Sequence, residues 1–76
     1  MQDALDKARR FGGGALERRR GGFWTYVGCR VVPVAYYEVP AWAIGYSTIR
    51  ALIDRAAVRV TERGPSGYPT RVEVVE

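Results

Sequence analysis

Seventy-six residues make one folded domain and leave no room for a second, and at this length a hydrophobic core alone only just keeps a chain folded. The apolar content of 47% and nine aromatic residues are too high for a disordered chain, while twelve basic residues against eight acidic give a net charge of +4, the balance of a protein that meets polyanions. A single cysteine, Cys29, and the absence of histidine exclude an intrachain disulfide framework, a Cys/His zinc site and any histidine-dependent nucleophilic triad.

The first residues, Met1 to Lys7, carry acids where a secretory signal needs a basic and then an apolar region, and no apolar run approaches eighteen residues. The expectation is a soluble cytoplasmic protein that neither leaves the cell nor spans a membrane. From Asp3 to Leu16, the residues Ala4, Leu5, Ala8, Phe11, Ala15 and Leu16 fall at helical spacing, with acids near the start and Arg18 to Arg20 at the end, as the helix dipole favours. Three consecutive glycines, Gly12 to Gly14, cost about 3 kcal/mol together inside a helix and predict that it ends at Phe11. Ala4-Leu5-Asp6-Lys7 returns eleven residues later as Ala15-Leu16-Glu17-Arg18, so the two copies would share a face if the helix continued. Residues 1–20 hold six basic and three acidic groups, leaving a net +1 for the remainder, so segment 1–22 is expected to be a basic helix or arm that carries most of the positive field.

Beyond Gly21-Gly22, the run Phe23-Trp24-Thr25-Tyr26-Val27 is β-prone. Residues 31–40 read as extended or looped, because Pro33 and Pro40 forbid a helix and confine any strand to a sheet edge. Ala41 to Ile44 fit a helical turn or a short strand equally well. From Ser47 to Ala56, the residues Ile49, Leu52, Ile53 and Ala56 form the stripe of a helix packed by one face, with Ser47 or Thr48 as the natural N-cap and Arg50 four residues before Asp54. Two alternating runs then put Val58, Val60, Val72 and Val74 on one buried face, joined through a Gly/Pro-rich loop. This predicts a C-terminal hairpin over about 57–62 and 70–75.

No catalytic constellation stands out. The carboxylates Asp3, Asp6, Glu17, Glu38, Asp54, Glu62, Glu73 and Glu76 are scattered, Cys29 has no base beside it in sequence, and the glycine triplet lacks the strand and the Lys-Ser/Thr ending of a phosphate loop. Neither an enzyme nor a cofactor is expected. Binding is better supplied: eleven of the twelve cations are arginine, suited to bidentate contacts with phosphate or guanine, although a GC-rich genome accounts for that bias equally well.

Ser47 to Val58, followed by Gly67-Tyr68-Pro69 and Arg71-Val72-Glu73-Val74, resembles the recognition helix and wing of winged helix-turn-helix proteins, whose helix commonly reads Thr-x-x-Ala-Leu-x-x-Arg-Gly. With Trp24-Thr25-Tyr26 and Val39-Pro40-Ala41-Trp42 upstream, the chain is also similar to the small winged-helix proteins of actinobacterial phages. Two departures are Ala56 in place of the family's glycine and prolines where its second helix would stand. The resemblance implies an α+β fold with a winged-helix-like domain over 23–76 and double-stranded DNA as the partner, in a phage or bacterial regulator or a protein that interferes with host DNA transactions.

On that reading Ser47, Thr48, Arg50 and Arg55 meet the major groove or phosphates, and Arg59, Arg63, Tyr68 and Arg71 serve the wing. Arg18, Arg19 and Arg20 supply further phosphate contacts, ordered on binding. Two competing roles stay open. One is a protein-protein module that docks on a host protein through Trp24, Trp42 and Tyr36; the other is single-strand binding through aromatic stacking, although a chain this short needs most of its aromatics for its core. Oligomerisation would add buried surface, so a homodimer is compatible with the sequence.

Overall fold

A computed structural model describes residues 2–75; Met1 and Glu76, the outer ends of the two segments expected from the sequence, lie outside the described residues. The chain is a small α+β domain. Its elements are α1 (Gln2–Phe11), β1 (Ala15–Arg18), β2 (Trp24–Tyr26), β3 (Val31–Val34), β4 (Tyr37–Pro40), α2 (Tyr46–Asp54), β5 (Val58–Arg63) and β6 (Pro69–Val74). Four strands form an antiparallel sheet in the order β2-β1-β6-β5, and β3 with β4 forms a separate two-stranded hairpin.

The core lies between the four-stranded sheet and the two helices. Cross-strand partners Tyr26↔Leu16, Leu16↔Val72 and Val72↔Val60 place these side chains on one sheet face, and strand alternation adds Trp24, Val58 and Val74. Against that face pack Ala4 and Ala8 of α1 and Ile49 and Leu52 of α2, in a single buried cluster. Helix α1 turns a face of small residues inward, which lets its backbone come close to the sheet; Ala8 is wholly buried.

The segment expected to be a basic helix or arm holds α1 and β1, both packed into the fold. Helix α1 does end at Phe11, as its glycines require, but Gly12–Gly14 form a reversal and not a flexible joint. The amides of Gly12 and Gly14 both donate to the Ala8 carbonyl, at 2.9 and 2.8 Å, and Gly13 and Gly14 take φ of 64° and 89°, where side chains are disfavoured. The chain then enters β1, where Ala15 and Leu16, the second copy of the apparent repeat, are buried in a strand between β2 and β6. Pairing on both sides outweighs the modest helical preference of Ala-Leu-Glu-Arg.

Residues 31–40 form the hairpin β3–β4, turning through Ala35-Tyr36, and both prolines sit in strands that have an open edge. This hairpin occupies the place where a helix-turn-helix would need its second helix. Ile44 makes an isolated two-hydrogen-bond bridge with Trp24, while Ala41 and Trp42 lie in a bend, so residues 41–44 form neither a helical turn nor a strand.

Helix α2 begins one residue before the expected start. Its N-cap is Gly45, with no side-chain hydrogen bond, so neither Ser47 nor Thr48 caps it; both are already inside the first turn. At the other end Ala56 adopts φ 58°, while its amide reaches the Ile53 carbonyl at 2.9 Å and that of Ala57 reaches Leu52 at 3.0 Å. These are the two bonds of a Schellman motif. Alanine thus occupies the left-handed position that glycine holds in the sequence pattern of winged-helix proteins.

Candidate functional site

Three separate elements meet at one end of the sheet: the first two turns of α2, the β5–β6 turn, and the end of β1. Two adjoining depressions lie there, sharing Tyr46 and Pro69. The first, of about 410 Å³, is lined by Arg18, Gly22, Trp24, Tyr46, Tyr68 and Pro69. The second, of about 250 Å³, is lined by Tyr46, Arg50, Ile53, Asp54, Val60, Arg63 and Pro69.

Local sequence explains how each side chain arrives. Tyr46, Arg50, Ile53 and Asp54 stand at i, i+4, i+7 and i+8 and so share one side of α2. Strict alternation along β5 and β6 would place Arg63 and Pro69 with Arg59 and Arg71 on the sheet face away from α2. Register shifts between Val60 and Glu62 and between Glu62 and Arg63 reverse the alternation, and both residues line the α2 side. The turn that follows closes through Gly64 N–H to the Tyr68 carbonyl at 2.8 Å and Gly67 N–H to the Gly64 carbonyl at 3.0 Å. Arg63 Nη1 braces it by donating to the Gly67 carbonyl at 2.8 Å. Tyr68 folds back over Gly64 so closely that a Cβ there would lie 2.5 Å from the ring.

Arg18 stands beside Trp24 in register, and its guanidinium carbon is 5.4 Å from the centroid of the Tyr68 ring, within cation–π range. Among the described residues it forms no ion pair. Arg50 Nε donates to Asp54 at 3.2 Å; this bond, aided by the Tyr46 hydroxyl, holds its guanidinium protonated above an already high ordinary value. Among the described residues, three arginines thus converge on the two depressions against one carboxylate.

The remaining sequence-predicted residues are dispersed. Ser47 and Thr48 lie in the first turn of α2, next to Tyr46, whereas Arg55 is the C-cap at the opposite end of the helix. Arg59 pairs with Glu73 at 3.9 Å, and Arg71, aligned with Glu17, shares that mixed-charge face. Arg19 is occupied: it donates to Glu17 at 2.9 Å and to Glu38 at 2.7 Å. Its hydrogen bond to Glu38 raises its own pKa and holds the Glu38 carboxyl below the usual range, despite Glu38's desolvation. Arg20 remains exposed beside this pair. The aromatic trio expected of a docking module does not share a surface, because Trp24 is 1% exposed, Trp42 is half-buried against Tyr26, and only Tyr36 stands out at the β3–β4 turn.

The sequence reading missed Tyr46, Gly22 and Pro69. Extending the α2 stripe by one residue would have found Tyr46, which falls four before Arg50; the other two are placed by strand pairing and leave no local signal. Among the described residues no cluster of His, Cys, Asp or Glu could hold a metal ion, and no helix is long and apolar enough to cross a membrane. Comparison with protein-family models, with curated proteins and with solved structures finds no match to this chain.

Proposed function

We propose that the protein binds double-stranded DNA through the edge formed by α2, the β5–β6 turn and the end of β1. The observation that carries this reading is the convergence of Arg18, Arg50 and Arg63, from three elements, around one surface lined, among the described residues, by a single acid, Asp54. A helix that feeds directly into a two-stranded hairpin is the part of a winged helix that meets DNA, and α2 with β5–β6 has that order. In this proposal the wing is the turn 64–68, the helix presents Ser47, Thr48 and Arg50, and Arg18 takes the role first expected of the whole N-terminal arm. Phosphate contacts dominate and carry no base information, so sequence specificity is low. Such a binder suits a regulator or a protein that obstructs other DNA transactions.

Paired substitutions test the location. Arg18→Ala with Arg63→Ala should weaken duplex binding and reduce the log-log salt slope by about 0.9 for each phosphate that is no longer neutralised. Arg59→Ala with Arg71→Ala, on the opposite sheet face, should change binding far less; equal losses from the two pairs would refute the assignment.

A second reading has its own observation. The β3–β4 hairpin exposes Val32, Val34, Tyr36 and Val39, a β surface that a protein partner could extend. Tyr36→Ser would abolish partner binding there and leave DNA retention unchanged.

A further inference from the structure

We infer that the cleft between α2 and the β5–β6 turn receives one unpaired nucleobase, so that a duplex ending in a single-stranded overhang binds more tightly than a blunt one; the inference rests on the DNA-binding role proposed above. The cleft is an open depression of about 410 Å³, and the rings of Trp24, Tyr46, Tyr68 and Pro69 give it planar walls. Tyr46 and Tyr68 are 46% and 43% exposed and stand at the cleft, while buried Trp24 and Pro69 line it from within. Gly22 leaves the mouth without a side chain: a Cβ there would meet nothing nearer than Arg18 Nη2, at 4.0 Å. A flat, apolar-faced guest therefore fits where a bulky aliphatic one gains little.

Charge identifies the guest as part of a nucleic acid. The Arg18 guanidinium, resting on the Tyr68 ring without a carboxylate partner among the described residues, offers a plane for stacking and donors for the phosphate attached to the base. Arg50 and Arg63 flank the adjoining depression, so a strand leaving the duplex there meets positive charge before it meets the aromatic cleft. A proline-rich peptide could use the same aromatic planes but would leave these cations unanswered.

The test compares three labelled DNAs bound to the intact protein: a blunt duplex, the same duplex with a short thymidine overhang, and the same duplex with an abasic overhang of equal length. Stacking of one base predicts about tenfold tighter binding of the thymidine overhang than of the other two. Tyr46→Ala and Tyr68→Ala should erase that preference, bringing the ratio of overhang to blunt-duplex affinity to about one whatever the change in blunt-duplex affinity itself. The abasic comparison uses the unaltered chain, so its outcome does not depend on the variants folding. Equal affinity for all three DNAs would overturn the base-binding cleft and leave duplex binding standing; no binding to any of them would overturn both. Binding of a polyproline peptide that depends on Tyr46 and Tyr68, with no preference among the DNAs, would assign the cleft to a peptide and overturn the inference.

Discussion

Ala56 shows most clearly how one side chain can be held against its preference. An L-residue in the left-handed region is disfavoured by roughly 1–2 kcal/mol, yet the two Schellman bonds and the packing of Leu52 and Ala57 fix the chain there. Ala56→Gly should stabilise the protein by about 0.5–1 kcal/mol, the relief being partly offset by glycine's greater freedom when unfolded; an unchanged or lower denaturant midpoint would contradict the motif. Glu38 makes a second prediction at this scale. The Arg19 hydrogen bond depresses its pKa, so the folded state holds its proton less readily than the unfolded one. Its contribution is then present above the ordinary glutamate value of 4.5 and lost as the pH falls through the lower folded value. Acid unfolding curves should show this loss, and Glu38→Gln should flatten it.

Among the elements, those closed by local contacts were legible in the sequence. Helix α2 buries Ile49 and Leu52 of the expected stripe and half-buries Ile53, while Ala56 falls exposed beyond its end at Asp54; β5–β6 differs from its expected bounds by one residue at each end, and α1 stops at the glycines. What the sequence hid is non-local. Strand β1 exists because β2 and β6 pair with it, and nothing within Ala15–Arg18 reports those partners. Arg19 looked free because Glu38 lies nineteen residues away, and Arg63 turned toward α2 through bulges that no spacing rule anticipates. The candidate site was legible only in its parts: Arg18, Arg50, Arg63 and Tyr68 were named, but as members of an arm, a helix and a wing. Their common surface emerges from the fold. Because α1 belongs to the core, Ala8→Leu should destabilise the domain by about 1–3 kcal/mol, measured by urea unfolding. An N-terminal arm would tolerate that substitution without effect.

For the whole molecule, charge is distributed less simply than the sequence count suggests. The N-terminal third holds the larger net positive charge, but α1 packs on the sheet and Arg19 is bound to two carboxylates, so the field is not carried by a mobile tail. Arg18, Arg50 and Arg63 line the depressions that also hold Tyr46 and Tyr68, at the edge formed by α2, the β5–β6 turn and the end of β1. The central claim is that this edge holds duplex DNA by its phosphates, and fluorescence anisotropy of a labelled random duplex over a series of salt concentrations tests it most directly. Three arginine contacts predict a log-log slope of about −2.7, becoming shallower in the Arg18→Ala, Arg63→Ala protein. Undetectable binding at low salt, or an affinity indifferent to salt, would contradict it.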